Sequence, residues 1–383
     1  MEFQRSDSSS SPSSSTPTPN NADPKKNPSS DPMHSWWESV SKARSRIYAL
    51  AAILPSSSSD SLSSLADSDR PALSLLSSPA AYAAVSSSLS GSHFDPLCHW
   101  LYDTFLSSDP HLRLVVLSFV PLLVGFYLSR IHSPEPPSLA GFEAVLLALY
   151  AAETKSRNGK PLMVTIPDLS QPSIYHAPLH KPQTLTPTVT TPPSVGLISP
   201  PLEPQLGVKS TKRASIVGVA LHSFFSQISH MPAWSKLHFC QFASTWAGGA
   251  SHCPCRNELD RDGQIVGEIN DFANTVEIRD DMEGKGERIP LPWEILQPSL
   301  RILGHCLLGP LNSQDVKDAA SFAVRCLYAR ASHDLVPQAI LATRSLIQLD
   351  VRTRDAAKAN AATNSNGNTP TKAKKPEILL VSK

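Results

Sequence analysis

Charge of either sign is scarce in this chain. Asp, Glu, Lys and Arg make up 17% of its 383 residues, and 34 basic against 33 acidic side chains leave a formal charge of +1. An average soluble chain carries about a quarter charged residues. No net field draws such a protein to nucleic acid or to an anionic bilayer, so no nucleic-acid partner is expected. Glycine is sparse at 16 residues, and cysteine numbers six. The composition excludes a collagen, a coiled coil and a small disulfide-stapled fold. The start, Met1-Glu2-Phe3-Gln4-Arg5 and then a serine run, lacks the apolar core of a secretory leader. Reduced thiols in the cytosol are therefore expected. Neither end carries a lipidation signal: residue 2 is Glu, and the chain closes on Val381-Ser382-Lys383.

Long apolar runs are missing as well. The longest, Leu114 to Leu128, spans 15 residues and is interrupted by Ser118, Pro121 and Gly125. A bilayer crossing takes about 20 residues, so a buried core helix is expected. There is no G-x-S-x-G elbow, no G-x-x-x-x-G-K-[ST] phosphate loop and no H-E-x-x-H pair. The nearest glycine cluster, Gly284-Lys285-Gly286, lies in an acidic stretch. No enzyme activity is expected, and no catalytic or cofactor-binding residue and no cofactor is assigned.

What is abundant is serine and proline. Of 56 Ser, 30 fall in the first 100 residues, and Pro numbers 35. Residues 1–34 hold too little apolar surface to offset the entropy of ordering, and are expected to be disordered. A Pro/Thr-rich stretch, 177–212, reads as a long loop. The stretch 256–289 carries ten acidic and five basic residues and reads as a solvated insertion. The Ala/Asn/Thr/Lys tail, 351–383, is also expected to be disordered. Between these, 35–350 contains nearly all the aromatic residues.

Those blocks read as helices. Ser35-Trp36-Trp37-Glu38 has capping-box form and predicts a helix to about Leu54, before Pro55. Asp95-Pro96 and Asp109-Pro110 pair a capping carboxylate with Pro at the first helical position. Leu97, Leu101 and Phe105 then share one face, and Leu112–Leu128 reads as a single central helix, apolar nearly all round. Further helices are predicted at about 71–89, 139–153, 214–230, 233–247, 291–308, 314–331 and 335–349, with Val316, Ala320, Ala323 and Leu327 as the buried stripe of the penultimate one. Asn158-Gly159 is a hairpin-type turn ahead of a short strand, Leu162–Ile166. The expected fold class is all-α: a single helical domain of about ten helices with two loop insertions, one short β-hairpin and disordered termini.

His238, Cys240, His252, Cys253 and Cys255 supply soft ligands within 18 residues and raise a zinc-dependent interaction module as an alternative function. Two features oppose it. Cys253-Pro254-Cys255 has one residue between its thiols where zinc motifs have two to four, and His238 and Cys240 lie about 200° apart around a helix. The plainer reading sets Cys240 and His238 beside a core face with Phe239 and Phe242, and no metal ligand is assigned. Asp260-Arg261-Asp262-Gly263 fails as a calcium loop, because its last ligand would be Ile269. Lys212-Arg213-Ala214-Ser215 has the form of a basic-directed phosphorylation site at a helix start. Ile378-Leu379-Leu380-Val381, behind Lys372, Lys374 and Lys375, is either a docking strand or a frayed end. The six Trp are core by default, although Trp36 and Trp37, about 100° apart on a helix, leave room for one exposed anchor.

One block is more specific. Ala144-Val145-Leu146-Leu147-Ala148-Leu149-Tyr150 leads through a polar turn into Val164-Thr165-Ile166-Pro167-Asp168-Leu169-Ser170-Gln171-Pro172-Ser173-Ile174-Tyr175-His176. This resembles the hyccin family, whose members share a helix ending in L-L-x-x-Y followed by T-I-P-x-L-x-x-P-S-x-Y-H. Asp95 to Tyr102 and Phe119 to Leu123 also match, the Trp-led first helix more loosely, and the helices of 314–349 fit the end of the family's domain. The serine-rich start, the acidic stretch and the short tail depart from the animal pattern, and the chain resembles a plant-type hyccin. The resemblance implies an all-helical, non-catalytic adaptor of the plasma-membrane phosphatidylinositol 4-kinase complex, supporting phosphatidylinositol 4-phosphate synthesis. The implied partners are the type III alpha kinase, a tetratricopeptide-repeat scaffold and, indirectly, a membrane-anchoring helical-repeat protein. The implied place is the cytosol and the cytosolic face of the plasma membrane, reached only through partners; the partner-binding residues are unknown. Pro167 and Pro172 fix φ and extend their neighbours, so the block itself reads as a rigid strap with Ile166, Leu169, Ile174 and Tyr175 tucked against the helices.

Overall fold

The computed structural model describes residues 32–131, 138–166, 194–248 and 291–365. The chain divides into two units, residues 1–39 and 40–383. In the first, residues 32–39 are helical and belong to α1 (Pro32–Ile53). The helix begins at Pro32, not at the Ser35 capping box. Asp31-Pro32 repeats the Asp-Pro start signal, and a proline at the first helical position gives up an amide that would be unpaired anyway.

The second unit opens with the rest of α1, which buries Val40, Ile47 and Leu50. Proline sets the helix starts beyond it. α3 (Pro71–Ser77), α4 (Pro79–Ser88), α5 (Pro96–Leu106) and α6 (Pro110–Ser118) each begin on one. The Asp109 carboxylate caps the amides of His111 and Leu112, both at 2.9 Å. Asp95 does more. It accepts from the amides of Leu97, Ser90 and Gly91 and from the Ser90 hydroxyl, tying the preceding turn to the helix. Burial alone would raise the Asp95 pKa, but the donors of Gly91, Leu97 and Ser90 outweigh it and hold the carboxyl below its ordinary value.

Proline also divides two expected helices. The 71–89 segment breaks at Ser78, whose hydroxyl caps Ala81 ahead of Pro79. The central 112–128 helix is two helices, α6 and α7 (Val120–Ile131), parted at Phe119. Pro121 has no amide for the Leu117 carbonyl and its ring crowds that turn. The Ser118 carbonyl freed nearby takes the Ser235 hydroxyl at 2.6 Å. Together Pro110–Ile131 are long and apolar enough to cross a bilayer by length and composition, and most of the stretch is buried inside the protein.

Other departures have equally local causes. α2 (Ser56–Ala66) forms in a serine run that reads poorly as helix, because Leu62 and Ala66 reach the core. Asn158 and Gly159, both at positive φ, terminate α8 (Ala140–Ser156) rather than joining two strands. The Gly159 amide reaches back to the Thr154 carbonyl at 3.0 Å, closing the helix end in the left-handed form glycine favours. β1 (Leu162–Ile166) pairs antiparallel with β2 (Ser194–Ser199), Met163 facing Leu197 and Ile166 facing Ser194. β2 and the start of α9 (Ser210–Ser226) lie inside the 177–212 segment expected to be loop.

The second unit closes with α10 (Ala233–Trp246), α11 (Trp293–Leu308), α12 (Gln314–His333) and α13 (Pro337–Ser365). α13 continues as helix past the expected end at 350. α10 packs on α7 and α12, α11 on α9, and α12 on α13. Val316, Ala320, Ala323 and Leu327 form the buried stripe of α12 as expected. α11 contains Pro298, which cannot donate to the Glu294 carbonyl four residues back. Gly218 of α9 fills that gap: a Cβ there would lie 2.2 Å from the Glu294 oxygen. The two backbones meet at a distance only glycine permits. The described residues form more helices than the about ten expected, and the fold is all-α with one two-stranded ribbon.

Candidate partner-docking surfaces

Of the side chains that carried the metal alternative, the two that are described, His238 and Cys240, face different neighbours. His238 on α10 turns to α4, its ring 5.6 Å from that of Tyr82, and burial pushes its pKa down to about 4. Cys240, on the same helix, is fully buried beside Cys306 of α11; the hydrogen bond to Cys306, then burial, raises its pKa. Phe239 and Phe242 make the core face between them, as expected. His252, Cys253 and Cys255 lie outside the described residues, as do the calcium-like loop, the acidic insertion and Ile378–Val381. Among the described residues no group of three or more His, Cys, Asp or Glu could hold a metal ion.

Other polar groups in the core work as ties. Lys236 donates Nζ to Asn312 Oδ1 at 2.9 Å, and Asn312 Nδ2 donates to the carbonyls of His305 and Cys306. Burial lowers the Lys236 pKa. Tyr127 donates to Glu143 at 3.0 Å and accepts from Arg213 at 3.1 Å, linking α7, α8 and α9; burial pushes its phenol up to about 12. Arg213 is thus committed to structure. Ser215 stands half-buried in the second turn of α9, on the wall of a cavity of about 70 Å³, and not at the helix start a phosphate would favour.

Exposed apolar side chains are the more informative feature. Trp100 and Trp246 are buried, the former with its indole donating to the Arg46 carbonyl at 2.8 Å. In the first unit, however, Trp36 and Trp37 are 45% and 55% exposed, their rings edge to face at 4.9 Å. Both, not one, present aromatic surface. The β1–β2 ribbon also leaves Met163, Val164, Ile166, Val195 and Leu197 exposed. Ile166 was expected to tuck in, and it does not, at 46% exposed. The strap beyond it, with Leu169, Ile174 and Tyr175, lies outside the described residues.

A groove of about 610 Å³ opens between α3, α6, α8 and the end of α9. Leu73, Leu76, Leu114, Leu117 and Leu149 line its apolar part. Arg113, His111, His230 and Glu153 stand around it. The Arg113 guanidinium lies 4.9 Å from the centre of the Phe105 ring, and Glu153 is held by Arg157 Nε at 2.5 Å. No single stretch of sequence foretold this feature, since its walls come from five helices, α5 contributing Phe105.

The family model for hyccin matches residues 66–381. The match takes in α3 to α13 and runs on past the last described helix, while nearly all of α1 and α2 precede it.

Proposed function

The chain belongs to the hyccin family, and we propose that it serves as a non-catalytic adaptor of the phosphatidylinositol 4-kinase type III alpha complex. In this role it stabilises the kinase assembly and helps place it at the cytosolic face of the plasma membrane, where phosphatidylinositol 4-phosphate is made. The supporting observation is the family match across most of the chain, joined to an all-helical fold. A tetratricopeptide-repeat scaffold is the direct partner in this reading. The kinase joins the same assembly, and a helical-repeat protein supplies the anchor. The helical domain, 35–350, carries the association, and the serine-rich start does not.

Exposed apolar surface in two places, the aromatic pair of α1 and the ribbon, is the surface character an obligate subunit presents before assembly. Affinity purification of the tagged full-length chain from native membranes, with mass spectrometry of what is retained, tests the reading. Recovery of a large lipid kinase with a tetratricopeptide-repeat protein is expected. Recovery of neither by a folded bait would refute it.

A further inference from the structure

We propose that the groove between α3, α6, α8 and α9 is a docking site for an acidic amphipathic helix of the tetratricopeptide-repeat scaffold. The inference rests on the adaptor reading and adds where the scaffold is held and by what chemistry.

Three observations point to that occupant. The first is size. A cavity of about 150 Å³ holds a benzene ring, so 610 Å³ accepts several apolar side chains. That is the load one face of a helix delivers from positions i, i+3, i+4 and i+7. The second is the lining, a run of leucines from three helices that no described side chain fills. The third is charge. Glu153 is the acid of the groove, and its carboxylate is already engaged by Arg157. It therefore does not balance Arg113. Among the described residues Arg113 has no ion pair; its guanidinium lies over the Phe105 ring and the side chain is exposed. A stacked arginine at the edge of an apolar trough is the arrangement of an interface anchor, and its bidentate donors fit a carboxylate. His111 and His230, both exposed at the same mouth, add donors and no negative charge. An apolar helix flanked by Asp or Glu satisfies all three conditions, whereas a basic helix would meet Arg113 unfavourably.

The test is the affinity of the full-length chain for the purified scaffold, measured by calorimetry, for wild type and two surface variants. Arg113→Glu reverses the anchor's charge, and Ser226→Trp places a bulky ring at the groove's exposed lip. Neither residue is buried, and an unchanged melting temperature confirms that each variant is folded. Both are expected to weaken binding by about thirtyfold, the effect of losing an interface anchor. Wild-type affinity in both folded variants would overturn the groove assignment. A fatty acid retained by the wild-type chain in native mass spectrometry would also overturn it, assigning the groove to a lipid. If the scaffold fails to bind wild type although the kinase is recovered from membranes, the groove proposal falls and the adaptor reading stands. If neither is recovered, both fall.

Discussion

Helix α10 and the β1–β2 ribbon draw on similar apolar residues and meet opposite fates. α10 places Phe239, Cys240, Phe242 and Trp246 in the core, against α7 and α12. The ribbon, with Leu, Met, Val, Thr and Ile in one strand and Val, Leu and Ile in the other, leaves most of them in contact with solvent. The difference lies in layering rather than in hydrophobicity. A helix buries a stripe against neighbours on two sides. A two-stranded ribbon has two faces and two free edges, and is marginal without a third layer. It carries none of the charges or prolines with which proteins protect an exposed edge. Burial in this molecule follows from what stands opposite a residue, and most of the ribbon's apolar side chains have no such layer among the described residues.

Substitutions can sharpen that contrast. The largest effect is expected for Phe239→Ala, which removes a fully buried ring that meets Phe224 and Phe242. A loss of about 3–5 kcal/mol in urea unfolding is the expected outcome. Gly218→Ala tests the close crossing of α9 and α11. Its Cβ would meet a backbone oxygen that cannot rotate away, and about 1–3 kcal/mol should be lost. If Gly218→Ala is neutral, the backbone contact at Glu294 does not position α11.

Acid should loosen the α4–α10 contact next. His238 is held neutral by burial, with its pKa down from 6.5 to about 4. Between those values the unfolded chain binds the proton and the folded chain does not, so stability falls as pH drops from 6.5 towards 4. His222, also near 4 through burial and the charges of Arg157 and Arg301, adds to the same slope. His238→Phe should flatten part of it in a pH series of melting curves; an unchanged slope would place the titration elsewhere. The smallest effect is expected in the ribbon, where Met163→Ser should alter stability by no more than about 0.5 kcal/mol. A loss comparable to that of Phe239→Ala would mean that the ribbon is packed in the free protein, and would break the comparison.

Legibility in the sequence divides along the same line. Asp95-Pro96 and Asp109-Pro110 announce helix starts because capping is local chemistry. The α12 stripe is visible because its period persists over a long helix. α2 is not visible: serine has indifferent helix propensity, and the helix is held by packing on α3 and α4, with Leu62 buried, rather than by a pattern of its own. The break at Phe119 is hidden because Pro121 sits in a stretch that is mostly apolar on either side of it. β2 is hidden by its Pro- and Thr-rich surroundings, and Asn158-Gly159 supplies a correct turn with a different job. The groove is beyond sequence reading altogether. Leu73, Leu114 and Leu149 look alike along the chain, and only their meeting at one opening distinguishes them.

The central claim is that this chain is a stoichiometric subunit of a lipid-kinase assembly. The most direct test combines the purified full-length protein with the tetratricopeptide-repeat scaffold and the kinase, and measures the mass of the species that elutes by light scattering. A single species whose mass includes this 41.4 kDa chain is predicted. Elution of the chain by itself, with the kinase and scaffold complexed without it, would contradict the account.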